Sequence, residues 1–254
     1  YNPAFMVLNT LFKSLRLLAC GYIFFGSITS EAQVKETGNV NSVKINGQSI
    51  DIRTDNAFVT VTVYSADIIR IRMDKKPLEK DHSYAVVSEP QKVNTTITQS
   101  ANAITVTTDS LKAVIQKKPY AVAFYTPDGR IINEDEKGLT TSWVGEEATT
   151  YKHMQDGERF IGLGEKTGDL DRRGNGYTNW NTDAFAYSTS QDPIYSTIPF
   201  YYGIHHDINY GIFLDNTYRS DFNFGASNNR FSSFAAQGGE MNYYFIYHSK
   251  LSDI

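Results

Sequence analysis

Apolar and polar side chains alternate with a period of two along most of this chain. Residues 58–64 (FVTVTVY) and 67–73 (DIIRIRM) both alternate and are separated by Ser65-Ala66, which predicts two strands joined by a short link. The alternation returns at 102–108 (NAITVTT), 111–116 (LKAVIQ) and 120–126 (YAVAFYT), and Pro127-Asp128-Gly129 then turns the chain into Arg130-Ile131-Ile132. In that turn Pro presets φ and Gly tolerates φ > 0. Segments 198–206, 209–215, 217–224, 230–236 and 241–248 continue the pattern to the end. Short strands spaced roughly ten residues apart predict a sandwich or a barrel. After the N-terminal region no run at helical spacing carries caps, which disfavours Rossmann and (β/α)₈ folds, where helices separate the strands. The expected fold class is all-β.

Two stretches outside this pattern carry further information. The first, residues 164–197, is rich in Gly, Asn, Asp, Thr and Ser. Loops longer than about 15 residues are usually functional or disordered. Trp180, Phe185, Tyr187 and Tyr195 within it argue against disorder. The second is the N-terminus. From Met6 the chain carries only Lys13 and Arg16 as charges before an apolar run from Leu17 to Ile28, and Ser30 and Ala32 then fit the −3 and −1 positions of a signal peptidase site. This predicts a cleavable signal peptide over residues 1–32, with Tyr1–Phe5 upstream of the expected start, and a mature domain over 33–254 beginning at Gln33. An apolar run of about 12 residues is short of the ~20 a spanning helix needs, so no membrane span is expected. Lipidation at Cys20 is a weaker alternative, because apolar residues continue beyond it. The expected destination is periplasmic or extracellular.

Composition narrows the function. Lys+Arg number 24 and Asp+Glu 28, a formal charge of −4, which excludes a strongly basic nucleic-acid binder. Removing residues 1–32 takes away Lys13, Arg16, Glu31 and the single Cys, leaving 22 basic and 27 acidic residues. A chain without thiols suits an exported compartment and excludes both disulfides and a multi-thiolate zinc site. With 17 Tyr, 15 Phe and 2 Trp it is rich in aromatics, and stability is expected to come from packing.

Most short motifs point away from chemistry. Gly162-Leu163-Gly164-Glu165-Lys166-Thr167-Gly168 is a G-x-G-x-x-x-G run after a strand, without the following helix that a phosphate loop requires. The run 133–138 (NEDEKG) lacks the alternating ligands of a calcium loop and is expected to be a solvated acidic hairpin. His205 and His206 would point to opposite faces of a strand and could not share one ion. The loop carboxylates Glu165, Asp169, Asp171, Asp183 and Asp192 stand near Arg172, Arg173, Trp180 and Tyr187. Carboxylates beside aromatic faces suit a pyranose ring, which offers hydroxyls at its edge and a flat apolar face.

Longer blocks are more specific. Residues 160–174 (FIGLGEKTGDLDRRG), Trp180-Asn181-Thr182-Asp183-Ala184, residues 192–200 (DPIYSTIPF) and residues 210–216 (YGIFLDN) resemble, in this order, the N-terminal domain of glycoside hydrolase family 31, the α-glucosidase and α-xylosidase family. The resemblance implies a galactose-mutarotase-like β-sandwich, of the kind called a supersandwich, over roughly residues 58–250. It also implies a retaining α-glycosidase whose two catalytic aspartates lie on a following (β/α)₈ barrel of the same polypeptide, so no catalytic residue is expected here, and neither a cofactor nor a metal. The domain's expected contribution is a loop over the barrel's mouth, with Asp183 and Trp180 as the substrate-binding candidates for an oligosaccharide or α-glycoside. In this picture Trp180 walls the site or packs beneath the loop, with packing favoured, and Glu165 pairs with Arg172 to hold the loop. The competing expectations are a stand-alone carbohydrate-binding module and a mutarotase-like enzyme using a Glu with His153, His205 or His206.

Overall fold

The computed structural model describes residues 33–254, so the expected signal peptide, its cleavage site and Cys20 lie outside the described residues. Nineteen strands, numbered in chain order, form three antiparallel sheets among the described residues. The eight-stranded sheet runs β13 (Arg159–Gly164), β15 (Thr197–His205), β16 (Ile208–Leu214), β19 (Met241–His248), β5 (Ile68–Asp74), β4 (Phe58–Val63), β3 (Ser49–Thr54), β2 (Val40–Asn46). The six-stranded sheet runs β1 (Lys35–Glu36), β11 (Thr141–Val144), β12 (Glu147–His153), β18 (Phe231–Ala236), β17 (Ser220–Asn223), β14 (Gly176–Asn179). The five-stranded sheet runs β10 (Ile131–Glu134), β9 (Tyr120–Tyr125), β8 (Lys112–Lys117), β7 (Ala103–Thr107), β6 (Thr96–Gln99). The only helical piece described is the 3-10 turn Leu251–Asp253.

The two smaller sheets adjoin through an isolated bridge between Asp135 and Lys152, and both pack on the eight-stranded sheet. Phe124 of β9 stacks on Phe245 of β19 at 3.7 Å between centroids, while Phe234 of β18 meets Tyr243 of β19 edge-on at 5.3 Å. Alternation produces this core directly. On β4 and β5 the inward residues Val59, Val61, Val63, Ile69, Ile71 and Met73 are all buried, and their intervening partners face away. Each strand expected from alternation is present. Strands β1, β2, β3, β6, β11, β12 and β14 had no such signal; the polar stretch around Gly47-Gln48 is the turn of the β2–β3 hairpin.

The acidic run 133–138 departs from expectation. Asp135 and Glu136 are buried, not solvated. The bridge that joins the smaller sheets carries the chain inward there, and each acid meets a base from a neighbouring strand. Asp135 Oδ1 accepts from Lys152 Nζ at 2.6 Å and its Oδ2 from the Val122 amide at 2.8 Å. Lys152, itself fully buried, also reaches the Tyr243 hydroxyl at 3.3 Å. Glu136 takes His153 Nδ1 at 2.8 Å and Arg230 Nε at 2.9 Å. A buried charge survives only when paired and hydrogen-bonded.

Glu158, 1% exposed, is a further acid in the core. It accepts from the Tyr210 hydroxyl at 2.6 Å and the Gln155 amide at 2.8 Å. Burial outweighs these bonds and pushes its carboxyl up to about 7. The paired histidines also differ from expectation. His206 leaves the strand at φ 46°, so the two rings are not held on opposite faces, and their Nδ1 atoms lie 3.2 Å apart. His205 is a core residue whose Nε2 lies 2.7 Å from the Ile132 carbonyl; burial, the larger influence, lowers its pKa.

Candidate functional site

The end of β13 aims the long loop. Gly162 has φ 140°, and a Cβ there would lie 2.5 Å from the Phe200 carbonyl oxygen of β15. Only glycine fits that close approach. The ladder between β13 and β15 is irregular between Gly162 and Gly164, so the glycine-rich run is a bulge that turns the backbone off the sheet. No helix follows it.

Within residues 164–197, expected to be irregular throughout, lies edge strand β14, whose four residues offered no alternation to read. Asp192 closes its free edge. One carboxylate oxygen accepts from the Thr178 amide at 2.5 Å and the other from Lys166 Nζ at 2.8 Å, while Lys166 also donates to the Thr178 carbonyl at 2.6 Å. The Lys166 side chain is fully buried, and burial lowers its pKa against the opposing pull of Asp192. Glu165 and Arg172 do not pair. Glu165 accepts from the Ser196 amide at 3.0 Å, and Arg172 donates to the carbonyls of Thr167 at 3.2 Å and Asp169 at 2.6 Å while lying over the Tyr177 ring. Both hold the loop by binding its backbone, for which sequence spacing carries no signature. Asp171 is likewise committed, accepting from the amides of Phe160 at 3.2 Å and Arg173 at 3.0 Å.

Residues 180–196 form an arm built from these anchors. At its root Asn181 Oδ1 accepts from both the amide and the hydroxyl of Thr197, at 2.8 and 3.0 Å. Further out the Tyr195 hydroxyl donates to the Ala184 carbonyl at 2.9 Å, and Tyr187 packs edge-on against Tyr195. Asp183 sits between these ties. It is exposed, and its carboxylate has no hydrogen-bond partner among the described residues. Phe185, two residues on, is 93% exposed.

Trp180 is not packed beneath the loop as favoured from sequence. It is 51% exposed and, with Ile198, Pro199, Phe213 and Tyr218, lines a groove of about 510 Å³ beside the arm's root. Asn181 lines this groove too, but Asp183 does not. The two candidates therefore share the arm without sharing that groove. Of the five loop carboxylates, Glu165, Asp171 and Asp192 serve the scaffold, which leaves Asp169 and Asp183 free of side-chain ties.

Residues 58–223 match the glycosyl hydrolase 31 N-terminal galactose mutarotase-like domain. This chain belongs to that family. The family 31 domain is 33% identical over 219 residues to alpha-glucosidase 2 of Bacillus thermoamyloliquefaciens, covering 85% of this chain and 28% of that relative. It is 29% identical over 128 residues to alpha-xylosidase XylQ of Lactiplantibacillus pentosus, covering 48% of this chain and 16% of the xylosidase. A GH31 dextranase of Flavobacterium johnsoniae, solved in complex with isomaltotriose, superposes with TM-score 0.78 at 29% identity over 84% of this chain and 26% of the dextranase. The family 31 domain thus spans little more than a quarter of the length of the relatives matched over most of it.

Proposed function

We propose that this domain is the N-terminal part of a secreted, retaining α-glycosidase of the α-glucosidase or α-xylosidase type, which hydrolyses terminal α-linked sugars on a following (β/α)₈ barrel. Its own part is to hold the 180–196 arm over the substrate. Asp183 is the sugar-binding carboxylate, and the half-exposed Trp180 indole is an apolar wall at the root of the same arm. The supporting observation is the contrast within the loop: Glu165, Asp171 and Asp192 are consumed by backbone amides and Lys166, whereas Asp183 is exposed and unpaired on an arm anchored at its root, where Asp169 is not. An unpaired carboxylate can accept from two vicinal hydroxyls.

Charge-assisted hydrogen bonds contribute about 1.5–3 kcal/mol each. Replacing Asp183 by Asn in the full-length enzyme should lower kcat/KM tenfold or more, since about 1.4 kcal/mol is a factor of ten. An unchanged kcat/KM would remove Asp183 from the site. Export is part of the same proposal: N-terminal sequencing of the mature protein should begin at Gln33, and a retained Met6 would exclude cleavage.

A further inference from the structure

The groove beside the arm's root holds a polar group that the fold does not use. Asn179 ends β14 opposite Ser220 of β17, and both residues line the groove. Asn179 is 4% exposed, yet neither its Oδ1 nor its Nδ2 has a hydrogen-bond partner among the described residues. Leaving a buried amide unpaired is destabilising, and nearly all such groups in folded proteins find a partner. Asn181, two residues on, shows the contrast, since its Oδ1 is taken twice by Thr197. A carbonyl oxygen and an NH2 group held side by side match two neighbouring hydroxyls, each of which can donate and accept.

The same groove contains an aromatic ring fixed from behind. A Cβ at Gly238 would lie 2.8 Å from Tyr218 Cε1 and one at Gly239 3.2 Å from Tyr218 Cε2, so the ring rests against this glycine pair. The Tyr218 amide donates to Asn216 Oδ1 at 2.7 Å, and Asn216 Nδ2 donates in turn to the carbonyls of Gly238 and Glu240 at 2.9 and 3.0 Å. Tyr218 is nevertheless 56% exposed, and a ring backed by glycines presents a flat apolar surface to whatever enters. Past Tyr218 the groove runs into a second one of about 460 Å³ that shares Asn216 and Tyr218 with it. Each is within the roughly 300–1,000 Å³ of small-ligand clefts. We infer that the groove of Asn179, Trp180 and Tyr218 is a second sugar subsite, which takes a further unit of the α-linked oligosaccharide whose terminal unit Asp183 holds. The inference deepens the glycosidase reading and rests on it. Tyr218 and Trp180 supply faces for the C–H side of a pyranose, and the Asn179 amide serves its hydroxyls. A peptide added as a strand would need the free edge of β14, where Asp192 already binds the Thr178 amide and Lys166 the Thr178 carbonyl.

Asn179→Leu and Tyr218→Ala, made in the protein expressed from its complete gene, test the subsite. The ligands are thio-linked maltotriose, isomaltotriose and α-xylosyl-cellobiose, which resist hydrolysis, and their constituent monosaccharides, all followed by isothermal titration. Wild type should bind at least one trisaccharide ten or more times more tightly than the monosaccharide. Both variants should lose that gain, while KM for a 4-nitrophenyl α-glycoside, which has no further sugar unit, stays within twofold. A wild type that gains nothing with length overturns the subsite and leaves the groove to a protein segment; variants that keep the gain overturn it as well. Asn179→Leu replaces an unpaired amide by an apolar group of similar size, so its Tm should be unchanged or raised. A fall of more than about 3 °C, or failure to fold, would show that the amide serves the fold and would overturn its role. Asp183-dependent hydrolysis with binding indifferent to Asn179 and Tyr218 refutes the subsite alone. Asn179-dependent binding in a protein that hydrolyses no α-glycoside refutes the glycosidase reading alone.

Discussion

Replacing Asp135 by Asn should be among the most damaging single changes of near-constant volume in this domain. The Lys152 ammonium is fully buried and has the Asp135 carboxylate at 2.6 Å as its counter-charge. Its other neighbours are the Tyr243 hydroxyl at 3.3 Å and the faces of Phe124 and Tyr243 at 5.7 and 5.2 Å. Asparagine has one acceptor oxygen, which can serve either the Val122 amide or Lys152, but not both as the carboxylate does now. Breaking one side of a buried ion pair costs about 3–5 kcal/mol, a large share of the 5–15 kcal/mol typical of a whole domain. At roughly 2–4 °C per kcal/mol for a domain of this size, Tm should fall by about 6–20 °C. Lys152→Met added to Asp135→Asn removes the stranded charge and should recover part of the loss. Urea denaturation of wild type, both single variants and the double variant isolates the coupling. A loss below about 1 kcal/mol for Asp135→Asn would mean that water or a rearranged partner solvates Lys152, and the ion pair would then not be what stabilises the junction of the two smaller sheets.

The remaining predictions concern the core acid and the loop. Glu158 has a folded pKa raised to about 7 from an ordinary 4.5, so between those values the folded state holds the extra proton. Its contribution is complete below about pH 4.5 and is lost as pH rises through 7, up to about 3 kcal/mol in all. Glu158→Gln should flatten the decline in stability between pH 5 and 7 seen in denaturant titrations; an identical slope in the variant would place the titration elsewhere. Gly162→Ala puts a methyl group 2.5 Å from the Phe200 carbonyl oxygen, and should cost at least about 2 kcal/mol by thermal melting. Gly168→Ala meets open space at a similarly left-handed φ of 82° and should cost only about 1 kcal/mol; equal losses would show that the bulge relaxes. Asn181→Ala removes both bonds to Thr197 at the arm's exposed root. It should lower kcat/KM of the full-length enzyme several-fold while leaving Tm within about 2 °C, and a Tm loss matching that of Gly162→Ala would make the tie structural.

The parts of this molecule that were legible in its sequence are those where one face of a strand is buried and the other is not. On β4, Phe58-Val59-Thr60-Val61-Thr62-Val63 states its own sidedness, because a one-residue slip would move every valine to the outside. Strand β14 escapes that logic, since Gly176-Tyr177-Thr178-Asn179 is held by β17 on one edge and by the Asp192 carboxylate on the other. Its identity as a strand depends on a residue 14 positions away from Thr178, and local alternation cannot report a long-range bond. The same limit explains the acids. Asp135, Glu136, Asp192 and Asp183 are chemically alike and all stand in polar runs, yet the fold buries two and ties a third to an edge. It leaves the fourth exposed and unpaired. What separates Asp183 from the other three is subtraction: Lys152, His153, Arg230 and Lys166 each pair with one of those carboxylates, whereas no ion pair among the described residues includes Asp183. A carboxylate that the domain leaves unsatisfied on an anchored arm is available to a ligand. Its acceptor sites are therefore what Asp183→Asn should halve, while the fold, which does not use them, stays intact.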